Sequence, residues 1–412
     1  VSHSNISGMR AYLVGGAVRD RLLGLVESDH DWLVTGITAE QLLAQGFRRV
    51  GQDFSVFLHP LTTEEYALPR GKTQEQNEFK QVCNDLVARD LTINAMALSP
   101  EGDIIDPLNG QADIQARILR HTPTFRQDPI RVLRLARFAA RLNPQGFRIA
   151  DETRRMIHKM VTCGELNGLV SERVWAEVKH ALESDAPVVF FETLRDLKTL
   201  GIVMPALDRL FGVPQPAKHH PEIDTGIHSL MVLNQAAGLR KDPETRLAAL
   251  LHDLGKGTTP PDQWPSHHGH ELRGVKLIDA LCDTLRIPNR FRELSRLVAE
   301  YHTHCHRAFE LKPATLVKTL MALDALRRPD RFEQFLAACE ADSRGRTGFE
   351  TCAYPQAAYF KAIQQAAAAV DTGAIAKQCH DPLQIADTLF QARSRAAAQA
   401  KKTWQASHLP PK

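Results

Sequence analysis

Two aspartates one residue apart, Asp29 and Asp31 in Ser28-Asp29-His30-Asp31-Trp32-Leu33-Val34, are the first residues whose types and spacing could do chemistry. On a strand, successive side chains alternate across the pleat, so both carboxylates leave the same face. Two such charges repel, and the usual compensation is a hard divalent cation such as Mg²⁺, which takes oxygen ligands. The apolar run Trp32-Leu33-Val34 carries the strand into a core and leaves the aspartates at its entry. Upstream, Tyr12-Leu13-Val14 reads as a short buried strand and Gly15-Gly16 as a turn that lets backbone approach a ligand, with a helix starting over Ala17 to Leu23. The amino end of that helix, with Gly16 at its start and Arg19 one turn in, offers N–H groups and fixed positive charge to a phosphate. A polyphosphate cradle thus faces a metal site. Phosphoryl transfer with two ions about 4 Å apart needs more than two carboxylates. Glu65, opening the strand Glu65-Tyr66-Ala67-Leu68, is the natural third catalytic acid.

Two further constellations stand apart from this one. In the stretch from Asp128 to Arg141, Arg131, Arg134, Arg137 and Arg141 are spaced three, three and four residues apart. At about 100° per residue they share roughly a third of a helix circumference, and the apolar residues take the remainder. A solvated face normally mixes signs, whereas residues 117–148 hold eight arginines against one acid, Asp128. That is a polyanion-binding footprint, built from the residue that pairs with phosphate in bidentate fashion. In the second half, His228 is followed by His252-Asp253 within Leu250-Leu251-His252-Asp253-Leu254-Gly255-Lys256. Burying such a pair among apolar residues without a partner is costly, so a metal ion is expected there. Nitrogen and oxygen ligands together suit a transition metal such as Ni²⁺, Mn²⁺ or Fe better than Mg²⁺. Lys256 is then placed to contact phosphate. The remaining histidines of the region, His219, His220, His267, His268, His270, His302, His304 and His306, read as solvent-facing.

The elements that must position these groups belong to an α+β chain. Strands are expected at Tyr12 to Val14, Asp31 to Val34, Phe54 to Leu58, Glu65 to Leu68 and Ile104-Ile105, with helices near 17–24 and 38–45, the second opened by a Thr38/Gln41 capping box. From about Asp113 strand signals fade, and helix follows helix between proline breaks to an alanine-rich end of peripheral helices. At 412 residues the chain is too long for one ordinary core. Four segments are expected: a head over 9–112, arginine-rich and neck helices over 113–215, the histidine–aspartate domain over 216–330 and a helical tail over 331–412. No run approaches the ~20 apolar residues that span a bilayer. The polar stretch ahead of Met9 reads as an extension rather than a leader. Seven cysteines without any Cys-x-x-Cys argue for reduced thiols and a cytoplasmic protein. The net charge of +3 excludes little, because the average hides the arginine-rich stretch.

Gly15-Gly16-Ala17-Val18-Arg19-Asp20 followed by Asp29-His30-Asp31-Trp32 resembles the polymerase-β-like nucleotidyltransferases. Within them it is similar to the bacterial CCA-adding enzymes that carry an HD domain behind the transferase head, and His228 with His252-Asp253 resembles the HD phosphohydrolase superfamily. The resemblance runs from about Met9 to Glu350. It implies a small mixed-sheet head followed by an all-α neck, HD domain and helical tail. The activity it implies is addition of C, C and A to the tRNA 3′ end from CTP and ATP with Mg²⁺. A transition metal, Ni²⁺ among the candidates, would serve phosphatase, 2′-nucleotidase and 2′,3′-cyclic phosphodiesterase activity. Residue by residue, Asp29 and Asp31 would hold Mg²⁺ and Glu65 would assist them. Arg89 of Arg89-Asp90-Leu91-Thr92-Ile93-Asn94 would reach the phosphates. Asp128 and Arg131 match the pair that reads the base edge, Arg134 and Arg137 lie at the nucleotide, and His228, His252 and Asp253 hold the HD metal. A monomer or homodimer is expected. The chain departs from the pattern at Ala88 and Gln127, and in a short segment 71–88. It also has Thr303 after His302, which leaves the HD site one carboxylate short. These departures keep a second reading open, a hydrolase whose head only binds tRNA.

Overall fold

The apolar alternation around Asp31 is satisfied by a central strand with a core on each side. In a computed structural model describing residues 8–26, 30–50, 56–70, 77–218, 221–240, 242–379 and 381–408, β1 (Arg10–Val14) pairs antiparallel with β2 (Asp31–Thr35). With β3 (Arg48–Val50), β4 (Val56–Leu58), β5 (Glu65–Ala67), β6 (Ala97–Leu98) and β7 (Ile104–Ile105) they form a sheet of order β3-β4-β5-β2-β1-β6-β7. β2 pairs parallel with β5, and the remaining ladders are antiparallel. Leu33, Tyr12 and Val14 pack on one face against Val82, Leu86 and Ala95. Val34, on the other, packs with Leu42, Phe47, Phe57 and Tyr66. The helix Ala39–Ala44 carries the expected reciprocal cap between Thr38 and Gln41.

The chain divides into two compact units, residues 1–169 and 170–412. The first unit departs from the sequence reading in its short strands. β3 and β6 were not anticipated, and Ile118–Leu119 pairs with Arg148–Ile149 within a stretch expected to be helical. Two- and three-residue strands are too short to display a period of two. Phe54 and Ser55 lie outside the described residues. The arginine helix forms over Arg131–Arg141 and buries Val132, Leu133, Leu135, Ala136, Phe138, Ala139 and Ala140. Each large apolar side chain removed from water contributes about 1.5–3 kcal/mol, so this helix is held by its apolar arc and not by its arginines.

In the second unit Asp224 caps the helix Thr225–Leu239 and Asp242 caps Pro243–Leu251 through the N–H groups of Ile227 and Thr245. The helices His270–Leu285 and Asn289–His306 follow. The helix Pro329–Arg344, which straddles the boundary expected at 330, packs on the 225–239, 243–251 and 289–306 helices. The alanine-rich end is less peripheral than expected, since Ile363, Ala367 and Ala397 are buried in the same core. Among the described residues no helix is long and apolar enough to cross a membrane.

Candidate active sites

In the parallel ladder Asp31 lies opposite Glu65, Trp32 opposite Tyr66 and Leu33 opposite Ala67. Registered neighbours share a face and sit about 4.8 Å apart, so the Asp31 and Glu65 carboxylates leave the sheet together at its rim. Asp31 is half-buried and Glu65 exposed. Asp29 lies outside the described residues, and with it the face shared by the two aspartates. On the other side of Asp31 stands Val14, the last residue of β1, so the Gly15-Gly16 turn emerges beside the carboxylates. Gly15 has φ +71°, and a Cβ there would sit 2.8 Å from Arg89 Nη1. The guanidinium of Arg89 therefore lies across the turn. Its Nε and Nη2 donate to Asp85 Oδ2 at 3.3 and 3.2 Å, which fixes its direction from a buried carboxylate.

The other expected cations divide by what they touch. Arg19, expected to face phosphate, is 1 % exposed: Nε and Nη2 donate to Asp20 Oδ1, and Nη1 donates to Asn94 Oδ1 at 2.7 Å. It joins the Gly-Gly segment to the Arg89–Asn94 segment from inside, under the Phe138 ring. Arg131 donates to the carbonyls of Ala88, Arg89 and Thr124 at 2.7–3.0 Å. Arg134 Nε donates to Asp90 Oδ2 at 2.8 Å, and the Arg137 guanidinium stands 4.5 Å from the Phe138 ring centre. Burial would push the Asp90 carboxyl up, yet Arg134 and hydrogen bonds from Asn94 and the Leu91 N–H hold it down at about 2. Asp128 ends the turn Phe125–Gln127 just ahead of the helix. Two buried aspartates that the sequence reading passed over, Asp20 and Asp85, thus anchor the cations of the site.

The helical unit gathers a different donor set. His228, His252, Asp253, His302 and Asp342 are all buried, and His270 is half-buried. The Nδ1 atoms of His252, His270 and His302 lie 2.7–3.1 Å from the carbonyls of Ala249, His267, Val298 and Ala299. His228 Nδ1 lies 3.0 Å from both the Gly345 carbonyl and Glu222. Those bonds hold the proton on Nδ1 and turn Nε2 inward, the arrangement that orients metal-ligating histidines. His252 Nε2, His270 Nε2 and Asp253 Oδ1 are buried without a hydrogen-bond partner. Against burial, His252 holds both carboxyls well below the usual range, with Lys256 helping at Asp253 and His306 at Asp342. Burial lowers His228, but Asp342 and Glu222 outweigh it and push the imidazole up to about 9. Burial and the neighbouring His252 pull His302 down to about 3, leaving its lone pair available. Lys256 Nζ reaches Asp253 Oδ2 and Gln215 Oε1, both at 2.6 Å. Gly255 is required by the close approach of this turn to the next helix, because a Cβ would collide with the His270 carbonyl.

Asp342 corrects the expectation that Thr303 leaves the site one carboxylate short. The acid comes from the helix Pro329–Arg344, with Oδ1 3.1 Å from His228 Nε2 and 3.6 Å from His252 Nε2. A signal existed: Asp342 is in phase with Phe335, Ala338 and Cys339 on the buried stripe, as His302 is with Ser295, Val298 and Cys305. An ionisable residue on an apolar stripe has to be paired or ligating. His270 and His302 likewise overturn the reading of the extra histidines as solvent-facing. His267 is also buried, between Thr259 and the Pro214 carbonyl. His219 and His220 lie outside the described residues.

An acidic sheet rim beside a glycine turn and an arginine helix, joined in one chain to a helical unit with a histidine–aspartate centre, defines a nucleotidyltransferase with an HD module. Family models agree: the poly A polymerase head domain matches residues 11–120, the probable RNA- and SrmB-binding site of polymerase A matches 146–211, and the HD domain matches 225–328. The multifunctional CCA protein of Thioalkalivibrio sulfidiphilus is 53% identical over 407 residues, covering 96% of this chain and all of that protein. That of Teredinibacter turnerae is 51% identical over 411 residues, covering 97% and 100%. This chain belongs to the multifunctional CCA protein family and is a CCA-adding tRNA nucleotidyltransferase carrying an HD domain. The fold also matches a CCA-adding enzyme in complex with CTP, with a TM-score of 0.65 at 19% identity over 98% of this chain and 92% of that one. A Thermotoga maritima CCA-adding enzyme complexed with tRNA matches with a TM-score of 0.62 at 18% identity, covering 97% and 91%. The transferase reading is thus supported over a head reduced to a binding module.

Proposed function

We propose that the head extends and repairs the 3′ end of tRNA by successive transfer of CMP, CMP and AMP from CTP and ATP. The observation that carries this reading is the Asp31–Glu65 register beside the Gly15 turn and Arg89. The tRNA 3′-oxygen attacks the α-phosphorus, the bond from that phosphorus to the bridging oxygen breaks, and pyrophosphate departs. Asp31 and Glu65, with Asp29, are the oxygen ligands that would hold Mg²⁺, which when bound supplies acidification of the hydroxyl and charge neutralisation at the leaving group. Oxygen-only donors at a solvent-accessible rim suit that ion. Arg89, aimed across the Gly15-Gly16 turn, draws the polyphosphate against Gly16. Arg134 and Arg137 face the nucleotide from the arginine helix, and Asp128 with Arg131 selects the base edge. Because Arg131 is tied to the Ala88 and Arg89 carbonyls, base selection is coupled to the position of Arg89. Arg19 builds this site from inside.

The functional segments we assign are the head at 9–112, the arginine-rich and neck helices at 113–215, the HD domain at 216–330 and the tail at 331–412, with Asp342 lent to the HD centre by the last. There, His228, His252, Asp253 and Asp342 fit a transition metal such as Ni²⁺. Bound there, such an ion would supply an activated water for 2′,3′-cyclic phosphodiesterase, 2′-nucleotidase and phosphatase chemistry. The seven free cysteines support a cytoplasmic setting, and we assign a monomer or homodimer. The test is tRNA lacking CCA, labelled CTP or ATP, and Mg²⁺. Incorporation is expected in the parent and lost in Asp31→Ala with tRNA binding kept within a few-fold; full activity in that variant sinks the metal assignment. For the HD centre, opening of a 2′,3′-cyclic nucleotide to its monophosphate with Ni²⁺, and phosphate release from a 2′-monophosphate, should both disappear in His252→Ala and Asp342→Asn while CCA addition continues.

A further inference from the structure

The turn just beyond the helix Pro329–Arg344 builds a feature that phosphate hydrolysis by itself does not call for. In Arg346-Thr347-Gly348-Phe349 the Phe349 N–H donates to the Arg346 carbonyl at 2.9 Å, and Gly348 has φ +84°. A turn closed between its first and fourth residues, with positive φ at the third, is the type that takes glycine there. It folds the Phe349 ring back on the first residue, and the Arg346 guanidinium lies over that ring, 4.7 Å from its centre. The guanidinium is also held along its edge: Nε donates to the Ser343 carbonyl at 2.9 Å and Nη2 to Ser343 Oγ at 3.1 Å. Glu222 accepts from the Thr347 N–H at 3.4 Å and Glu350 from the Gly348 N–H at 3.0 Å, which pins the turn itself. Arg346 is thus a flat cation whose plane is set before anything binds.

Arg346 lines a cavity of about 350 Å³ that has Asp253, His302 and Asp342 in the same wall. That volume falls within the range of about 300–1,000 Å³ usual for small-molecule sites. Phe349 is 38 % exposed and is not part of the wall, so the guanidinium stands between the ring and the cavity. A cation needed only for its charge has no use for a fixed plane, and lysine would serve as well. Nucleobases stack on aromatic rings and on arginine planes alike, because every base presents a flat π-face. We infer that Arg346, backed by Phe349, is the platform on which the nucleobase of the HD centre's substrate stacks, so that the cavity grips one nucleotide by base and phosphate together. The two residues then act on specificity. They favour nucleoside phosphates over phosphate esters that lack a base, and leave the bond-breaking step to the histidine–aspartate centre.

The inference rests on the reading of this unit as a phosphohydrolase, and the experiment separates the two. With the full chain and Ni²⁺, kcat/KM is measured for adenosine 2′-monophosphate and for glycerol 2-phosphate, which has no base. Losing a stacked base should lower the ratio of the two values by about tenfold in Arg346→Lys and in Phe349→Leu. Phe349→Tyr, which keeps the ring, should retain the ratio, and circular dichroism should find the helical signal unchanged in all three. A second measurement needs no turnover: 8-azidoadenosine 2′-monophosphate is photo-crosslinked to the parent, and the label is mapped by mass spectrometry. It is expected between Gly345 and Tyr354. A ratio unchanged in both Arg346→Lys and Phe349→Leu, or a label that lies elsewhere, overturns the platform, while turnover of either ester keeps the phosphohydrolase reading. A parent that turns over neither ester overturns that reading, and label on the turn then still supports the platform.

Discussion

Replacing Asp90 by asparagine separates charge from shape at the joint between the arginine helix and the rest of the head. The carboxylate accepts from the Leu91 N–H at 2.8 Å, from Asn94 Nδ2 at 3.1 Å and from Arg134 Nε at 2.8 Å. Burial opposes its ionisation, and Arg134 with those donors still holds it at about 2 against an ordinary 3.8. At roughly 1.4 kcal/mol per pH unit the difference amounts to about 2–3 kcal/mol. Arg134 is 38% exposed, so solvent screening discounts that figure to about 2 kcal/mol. The folded value is depressed, so this stability is fully present above about pH 4 and is lost as pH falls through about 2. Asparagine keeps one acceptor but turns an NH₂ toward a guanidinium. For a unit of this size about 2 kcal/mol lowers the melting temperature by about 4–8 °C. Calorimetry of the full chain, with hydrogen exchange to assign the transition to residues 1–169, should find that shift at pH 7 and a narrowing gap between the two proteins as pH falls below 4. Released from Asp90, Arg134 should also lower kcat/KM for CTP and ATP by the same factor. An unshifted transition at pH 7, or a gap that stays constant in acid, refutes the reasoning.

The positions around Asp90 carry further expectations. Gly15→Ala strains a residue at φ +71° by about 1 kcal/mol and drives Arg89 Nη1 off the turn. Steady-state kinetics should find KM raised for both nucleotides, and an unchanged KM would remove Arg89 from the phosphate site. Arg131→Ala deletes the donors to Ala88, Arg89 and Thr124. Comparing kcat/KM for all four nucleotides should find UTP or GTP competing with CTP, whereas an equal loss for every nucleotide would make the residue a brace for Arg89 and no selector.

Local chemistry carried much of the head. The Thr38/Gln41 cap, the Gly15 turn, the alternation in Tyr12 to Val14 and Asp31 to Val34, and the helical phase of Arg131, Arg134 and Arg137 depend on residues a few positions apart. There the backbone period alone decides which side chains share a face. The same logic misjudged Arg19. A cation in the first turn of a helix reads as facing an anion, but two distant segments supply Asn94 and Phe138, which draw it inward.

Covalent spacing has no power over relations between elements, and both centres are made of such relations. That Glu65 stands beside Asp31 follows from the parallel pairing of β2 with β5, chosen by the two cores on either face of the sheet. That the HD centre has its second carboxylate follows from the packing of the helix Pro329–Arg344 on three others, which carries Asp342 to His228 across 114 residues. The sequence by itself determined which residues were able to bind phosphate and metal and which faces they share within an element. The tertiary structure decided which of them meet, because burying the apolar stripe of each helix and strand sets the distances between elements, and ionisable residues caught on those stripes have to find partners where the packing places them.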